Sequence, residues 1–223
     1  MSSIEKAWSF LKEEVRLRGS TGAMLRTLPN GKRVVVKRGA FQSGNPEAHI
    51  NNEYDMNRYL HELGVGVPNA EMTEEFGRPT MITDFEEGAK PILPHLDSSK
   101  LREDVVPHAL IANWDVLGRE LDNVLRRPDG SLTYVDVGGA GAFRAQGEPK
   151  GGRFGNTVSE LDTFQEKMPY VYNNLSEEEI AQSYDKFGGV DAMQAATDVL
   201  RDSQTSNVLQ ERAQDLARRV GDV

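Results

Sequence analysis

The sequence predicts an α+β chain of two lobes, a small N-terminal lobe of sheet plus one helix and a mostly helical C-terminal lobe. Three observations point there. Asn30-Gly31 and Asp129-Gly130 each sit between short runs that read as strands, and these dipeptides favour the positive φ that tight hairpins demand. Helical apolar spacing at Ile50, Tyr54, Met56, Tyr59, Leu60 and Leu63 lies between the two hairpins, and helix signals dominate the C-terminal part. A proline-rich break, "AKPILPHLDSS", divides the two patterns. The lobe boundary is expected near residues 86–90, giving lobes of 1–88 and 89–223.

In chain order, residues 3–18 place Ala7, Trp8, Phe10, Leu11, Val15 and Leu17 near one stripe, which predicts an amphipathic helix. A glycine-containing turn follows at residues 19–22, then strands at 24–28 and 33–37 joined through Asn30-Gly31. The helix that carries Ile50 to Leu63 is stopped by Gly64 and Pro68. "RPTMITDFEEG" reads as a buried strand running out into a polar segment. Residues 98–114 read as a helix with Ser98 as N-cap and a kink or restart at Pro107. Residues 124–125 and 132–137 form the second hairpin, Ser176 with Glu179 makes a capping box, and residues 190–220 hold one or two further helices. There is no internal repeat and no low-complexity tract.

A formal net charge of -9 argues against generic binding to nucleic acid or anionic lipid, which rests on Lys and Arg meeting phosphates. Zero cysteines exclude disulfides, thiolate catalysis and cysteine-containing zinc sites. No apolar run approaches the roughly 18 residues of a membrane span. The opening "MSSIEKAWSFLKEEVR" lacks a basic segment followed by an apolar core, so a cytoplasmic location is expected, in the producing cell or in a host cell.

Familiar catalytic signatures are missing. "RGSTGAM" lacks the spacing of a Walker A loop, His61-Glu62 has Val65 where a second zinc-binding histidine should stand, and the four histidines show no ligand spacing. "YVDVGGAGAFR" has Arg144 where a dinucleotide fingerprint needs glycine or alanine, and it follows a hairpin; its glycines are better read as freeing the backbone around Asp136.

What survives is an ordered set: a glycine turn (Gly19, Ser20, Thr21, Gly22), a strand lysine (Lys37), a helix glutamate (Glu53), a polar hinge after a strand (Thr83, Asp84, Phe85), Asp115, Asp122-Asn123, and Asp136 before glycine. Each alone is an ordinary turn, strand end or solvated face. Together they are the groups that transfer from a nucleotide triphosphate requires: backbone N–H groups and a cation for phosphates, a carboxylate fixing the cation, hard oxygen ligands for magnesium, and a carboxylate near the acceptor.

With these residues in place, the sequence resembles the protein-kinase-like fold in a divergent branch. "NGKRVVVKRG" resembles the strand that carries the kinase lysine, and residues 52–68 resemble the helix and strand entry of HipA-type and phosphatidylinositol 3- and 4-kinase relatives. "NWDVLGRELDNVLRRPDGSLTYVDVGG" is similar to the catalytic and metal loops of kinase-like domains in phage and bacterial effector proteins. The resemblance covers roughly residues 17–150 and implies ATP and Mg2+ as cofactors and a protein substrate, of the producing cell or of a host. It implies that Lys37 contacts phosphates, Glu53 holds Lys37, residues 19–22 cover the phosphates, and the segment with Thr83, Asp84 and Phe85 reads adenine through its backbone. Asn123 and Asp136 then ligate magnesium, and Asp115 orients or deprotonates the acceptor.

Eight residues separate Asp115 from Asn123, whereas ordinary kinase loops place the amide about five after the aspartate, so Asp122 stands as an alternative acid-base. No His-Arg precedes Asp115, "DVGG" replaces D-F-G and no A-P-E segment follows, which predicts a site without a phosphorylation-controlled loop. Two other readings of the same residues are a pseudokinase that binds without turnover and a kinase-fold enzyme that transfers a nucleotidyl group or works through an adenylate.

Overall fold

Two antiparallel sheets and a helical C-terminal part make up the computed structural model, which describes residues 12–17, 22–40 and 44–222. The first sheet has the order β1-β2-β3-β5-β4: β1 Lys12–Arg16, β2 Met24–Thr27, β3 Arg33–Lys37, β4 Ala70–Glu75 and β5 Arg78–Asp84. Helix α1, Pro46–Glu62, packs on β4 and β5. The second sheet is β6 Lys90–Pro91, β7 Val124–Arg126 and β8 Leu132–Tyr134. The helices that follow the first sheet are α2 Pro94–Glu103, α3 Val105–Leu110, α4 Glu160–Lys167, α5 Pro169–Tyr172, α6 Glu177–Lys186, α7 Gly189–Ala195 and α8 Ser203–Val220. Sheet first and helices after is the α+β arrangement that the sequence predicts. No helix among the described residues is long and apolar enough to cross a membrane.

Both hairpins form at the expected dipeptides. Gly31 and Gly130 each take φ of 84°, and the Lys32 amide is held by the Asn30 side chain as the Ser131 amide is by Asp129. Helix α1 begins at Asn45, whose side chain accepts from the Ala48 amide, and ends before Gly64 at φ 79°. The Ser176–Glu179 capping box opens α6. The glycines after Asp136 open no helix, in keeping with the rejection of a dinucleotide fingerprint.

Three expectations are corrected. The helix over residues 3–18 is overturned at Lys12–Arg16, which is a strand paired with β2; residues 3–11 lie outside the described residues. Glu14 stands opposite Arg26 in the ladder and accepts from its Nε at 2.8 Å, and Arg26 also reaches Glu75 at 2.6 Å. Cross-strand pairing of this kind overrides the helix propensity of Lys, Glu and Arg in "KEEVR", which tertiary context readily outweighs. Strand β4 was missed, because its acidic residues look like a loop and its turn is Phe76-Gly77, with φ of 53° and 73°. The helix expected over residues 98–114 starts at Pro94 and breaks at Asp104, not at Pro107. Pro107 falls in the first turn of α3, where a missing N–H leaves no bond unmade, and Asp104 is drawn out of the helix to accept from Tyr134 and Lys186.

The base beneath the functional loops is polar and fully buried. Arg212 of α8 donates to the carbonyls of Ala109 and Leu110 at the end of α3, to those of Gly155 and Thr157, and to Glu160. The His108 ring packs on Tyr134 at 4.0 Å, and its Nδ1 meets the Asn113 amide nitrogen at 3.3 Å. Because Asn113 donates there, the ring proton sits on Nε2, which has no partner among the described residues.

Burial lowers the His108 pKa to about 3, while the unfolded chain takes up the proton near 6.5. Its contribution to stability is therefore intact above pH 6.5 and is lost as pH falls from there toward 3, with a slope of about 1.4 kcal/mol per pH unit. Urea unfolding of wild type and His108→Leu across this range should show the acid slope shallower by about one proton in the variant; identical slopes would contradict the assignment.

Candidate functional site

The lysine at the end of β3 reaches the glutamate in the middle of α1. Lys37 Nζ lies 2.5 Å from Glu53 Oε1, 3.1 Å from the Val135 carbonyl and 3.5 Å from Asp136 Oδ1. Lys37 is 4% exposed and Glu53 1%. Burial works against the lysine's charge, and the Asp136 and Glu53 carboxylates overcome it, so its pKa is raised and the side chain stays cationic. Glu53 Oε2 has no hydrogen-bond partner among the described residues, which leaves the pair dependent on one short contact.

Helix α1 also grips the loop after Asp136. The Ala40 amide donates to His49 Nδ1 at 3.1 Å, which fixes the ring proton on Nε2, and Nε2 donates to the Gly138 carbonyl at 2.9 Å. Asn52 donates to the Ala140 carbonyl and accepts from the Ala142 amide, at 2.9 and 3.0 Å. Glycine is required in this loop: a Cβ on Gly141 would lie 2.4 Å from Asn52 Oδ1, and one on Gly139 would lie 2.9 Å from Asp115 Cβ. Asp136 itself accepts from the Gly138 amide at 3.0 Å.

The opposite wall is the loop between α3 and β7. Asp115 is anchored by Asn113, whose side chain accepts from the Asp115 amide at 3.2 Å. Asn123 donates to the Asp115 carbonyl at 2.7 Å, with Asp115 Oδ2 at 3.4 Å, and its own carbonyl accepts from the Val135 amide at 2.9 Å. With its nitrogen so committed, Asn123 keeps its side-chain oxygen beside Gly118, where a Cβ would meet it at 2.8 Å. Burial, then the Asp136 charge, raise the Asp115 pKa. Asp122 is exposed and sits against Gly118, where a Cβ would meet its Oδ1 at 2.7 Å.

Between these walls lies a cleft of about 1060 Å³, lined by Lys37, Thr83, Asp84, Phe85, Asp115, Asp122, Asn123 and Asp136 among others. The structure thus brings together every site residue read from the sequence in residues 37–136. Gly19, Ser20 and Thr21 lie outside the described residues; Gly22 takes φ 72°, and Leu17 and Ala23, whose backbones are joined by a 2.9 Å hydrogen bond, line the cleft. The hinge side chains are engaged elsewhere: Asp84 pairs with Lys32 at 2.5 Å, and Glu86 binds Arg127 at 2.7 and 2.8 Å. Backbone, the buried Thr83 and the half-buried Phe85, whose ring carries the Arg33 guanidinium at 4.3 Å, remain to face a ligand there.

A hard oxygen donor set, the Asn123 amide and the Asp136 carboxylate, fits magnesium, which is held through one or two carboxylates when phosphates complete its shell. No group of three or more acidic or histidine side chains that could hold a metal ion occurs among the described residues. Sequence reasoning missed His49, Asn52 and Lys150. Lys150 donates to three carbonyls in the two loops, at 2.6, 2.8 and 2.9 Å.

Removing one partner of the buried pair leaves an uncompensated charge, so Lys37→Met should lower the unfolding free energy by about 3–5 kcal/mol. Lys37→Met combined with Glu53→Met should recover most of that loss in urea titrations. A double variant as unstable as the single one would show that the pair is not the unit of stability.

No protein-family profile and no curated protein matches the chain. Solved structures match its fold. The Helicobacter pylori proinflammatory kinase CtkA superimposes with a TM-score of 0.60 over 96% of this chain and 96% of its own, at 8% identity. HipA of Shewanella oneidensis MR-1, in complex with HipB and operator DNA, matches at a TM-score of 0.46 over 95% of this chain and 65% of its own, with 12% identity. Choline kinase LicA from Streptococcus pneumoniae matches at 0.40 over 98% and 97%, with 13% identity. At these identities the likeness speaks for the fold alone, and through the CtkA superposition the fold of this chain is protein-kinase-like.

Proposed function

We propose that the chain is an ATP- and Mg2+-dependent phosphotransferase, a protein serine/threonine kinase of bacterial, phage or effector type. The observation that carries this is the Lys37–Glu53 pair closed beside Asp136, facing Asp115 and Asn123 across one cleft. Lobes of residues 1–88 and 89–223 enclose the nucleotide. Lys37, kept cationic by its two carboxylates, binds the phosphates, and the turn at residues 19–22 covers them. Backbone at Thr83, Asp84 and Phe85 receives the base. Asn123 and Asp136 hold magnesium, which when bound supplies positive charge to the phosphate oxygens.

Asp115 is the acid-base in this scheme. It is half-buried, fixed at its amide by Asn113 and packed on Gly139, whereas Asp122 is exposed at the mouth. A group positioned in this way can orient the acceptor hydroxyl and take its proton as the oxygen bonds to the γ-phosphorus and ADP departs. His49 and Asn52 keep the loop after Asp136 against α1 without any phosphorylated residue.

The test uses the purified chain, a cell lysate and ATP labelled at either the α- or the γ-phosphate. Protein should acquire the γ label only, and Lys37→Met and Asp136→Asn should abolish it. Transfer of the α label would instead indicate nucleotidyl transfer, and γ transfer that survives both variants would overturn the proposal. Asp115→Asn should slow transfer by about 10²–10⁴-fold while Mg-ATP still raises the melting temperature, and Asp122→Asn should slow it by less than the roughly 10²-fold floor expected of a proton-transfer group. The reverse order would reassign the acid-base to Asp122.

A further inference from the structure

We infer that Lys150 is a positioning residue that holds the Asp115 loop and the glycine loop after Asp136 in register; this rests on the phosphotransferase reading of the cleft. Lys150 is 4% exposed, and its ammonium donates to the Ala112 carbonyl at 2.6 Å, the Gly139 carbonyl at 2.8 Å and the Gly141 carbonyl at 2.9 Å. An ammonium has three N–H donors and no acceptor, so the three carbonyls match it one for one. Ala112 lies three residues before Asp115, and Gly139 three residues after Asp136. The nitrogen also stands 4.7 Å from the centre of the Trp114 ring, the neighbour of Asp115.

The two loops share few other ties. The Trp114 amide donates to the Gly139 carbonyl at 3.3 Å, and the Gly141 amide to the Ile111 carbonyl at 2.7 Å. Ala112 is held at φ 50°, a left-handed conformation that a residue with a Cβ adopts only when its surroundings enforce it. Lys150 binds that residue's carbonyl and both flanks of Ala140 at once.

A role in stability alone is a poor account of this lysine. No carboxylate forms an ion pair with it among the described residues. Glu160 of α4 is turned to Trp114 Nε1 and to Arg212 of α8, while Arg144 and Lys167 add positive charge around the same indole. Burial pulls the Lys150 pKa down to about 7, the Arg212 and Arg144 charges push the same way, and the Glu160 carboxylate opposes them. Burying a cation whose nearest carboxylate, Glu160, is turned to other partners is unfavourable, and what it secures here is the relative placement of two loops that carry Asp115 and Asp136.

The experiment compares the full chain with Lys150→Met, which keeps an unbranched side chain and removes the donors. Two quantities are read: initial rates of ADP formation against Mg-ATP concentration, and amide hydrogen exchange at Trp114 and Gly141. The variant should lose about 10- to 100-fold in kcat, the scale of a misplacement near 1 Å, with KM for ATP changed less than about threefold. Exchange at Trp114 and Gly141 should quicken while amides of α8 keep their protection. Unchanged kcat with unchanged exchange would overturn the inference, as would a uniform loss of protection that includes α8, the mark of a residue that only stabilises the fold. If the wild-type chain forms no ADP and labels no acceptor, the phosphotransferase reading fails separately, and the exchange comparison alone decides whether Lys150 holds the loops together.

Discussion

A buried cation between two carboxylates is the constraint on which the rest of the molecule depends. Lys37 and Glu53 are both removed from water, and neither is tolerable without the other. The pair can close only if β3 delivers the lysine, α1 lies across β4 and β5 at the right height, and the strand after the second hairpin brings Val135 and Asp136 to the same point. The ion pair is thus a condition on three parts of the chain that are far apart in sequence. A site assembled around it is already formed before any ligand arrives, which lowers the ordering needed on binding.

Placement of the two acidic loops follows a different logic, in which backbone carbonyls are the partners. His49 and Asn52 from α1, Lys150 from the segment beyond the glycines, and Arg212 from the last helix all end on main-chain oxygens. Main-chain groups buried in a loop must find partners, and here four side chains from three separate places satisfy them. Glycine at positions 139 and 141 makes the approach close enough, since a Cβ at either would collide with Asp115 or Asn52. The eight-residue step from Asp115 to Asn123 is accommodated by Gly118 at φ 73° and Leu121 at φ 60°, which turn the loop so that Asn123 returns to Asp115.

Features whose physics is local were legible in the sequence. The two hairpins, the stop of α1 and the capping box of α6 depend on a few adjacent residues, and Asn30-Gly31, Asp129-Gly130, Gly64 and Ser176 announce them. The order lysine, glutamate, aspartate, amide, aspartate was legible because each member must be a particular chemical type. Features decided across the fold were not. "KEEVR" becomes a strand because Arg26 stands opposite Glu14, and β4 forms at a sheet edge where Glu71 and Glu74 face solvent while Glu75 turns in to Arg26. Lys150 and Arg212 gave no signal at all, since their partners, Glu160 apart, are carbonyls that every residue possesses; only the depth of their burial distinguishes them from surface charges.

The most direct measurement is a crystal structure of the chain with Mg2+ and a non-hydrolysable ATP analogue. The account predicts phosphate oxygens bonded to Lys37 Nζ with the Glu53 contact intact, and a metal at about 2.0–2.1 Å from the side-chain oxygens of Asn123 and Asp136. A nucleotide seated elsewhere, or a metal that bypasses both residues, would contradict it.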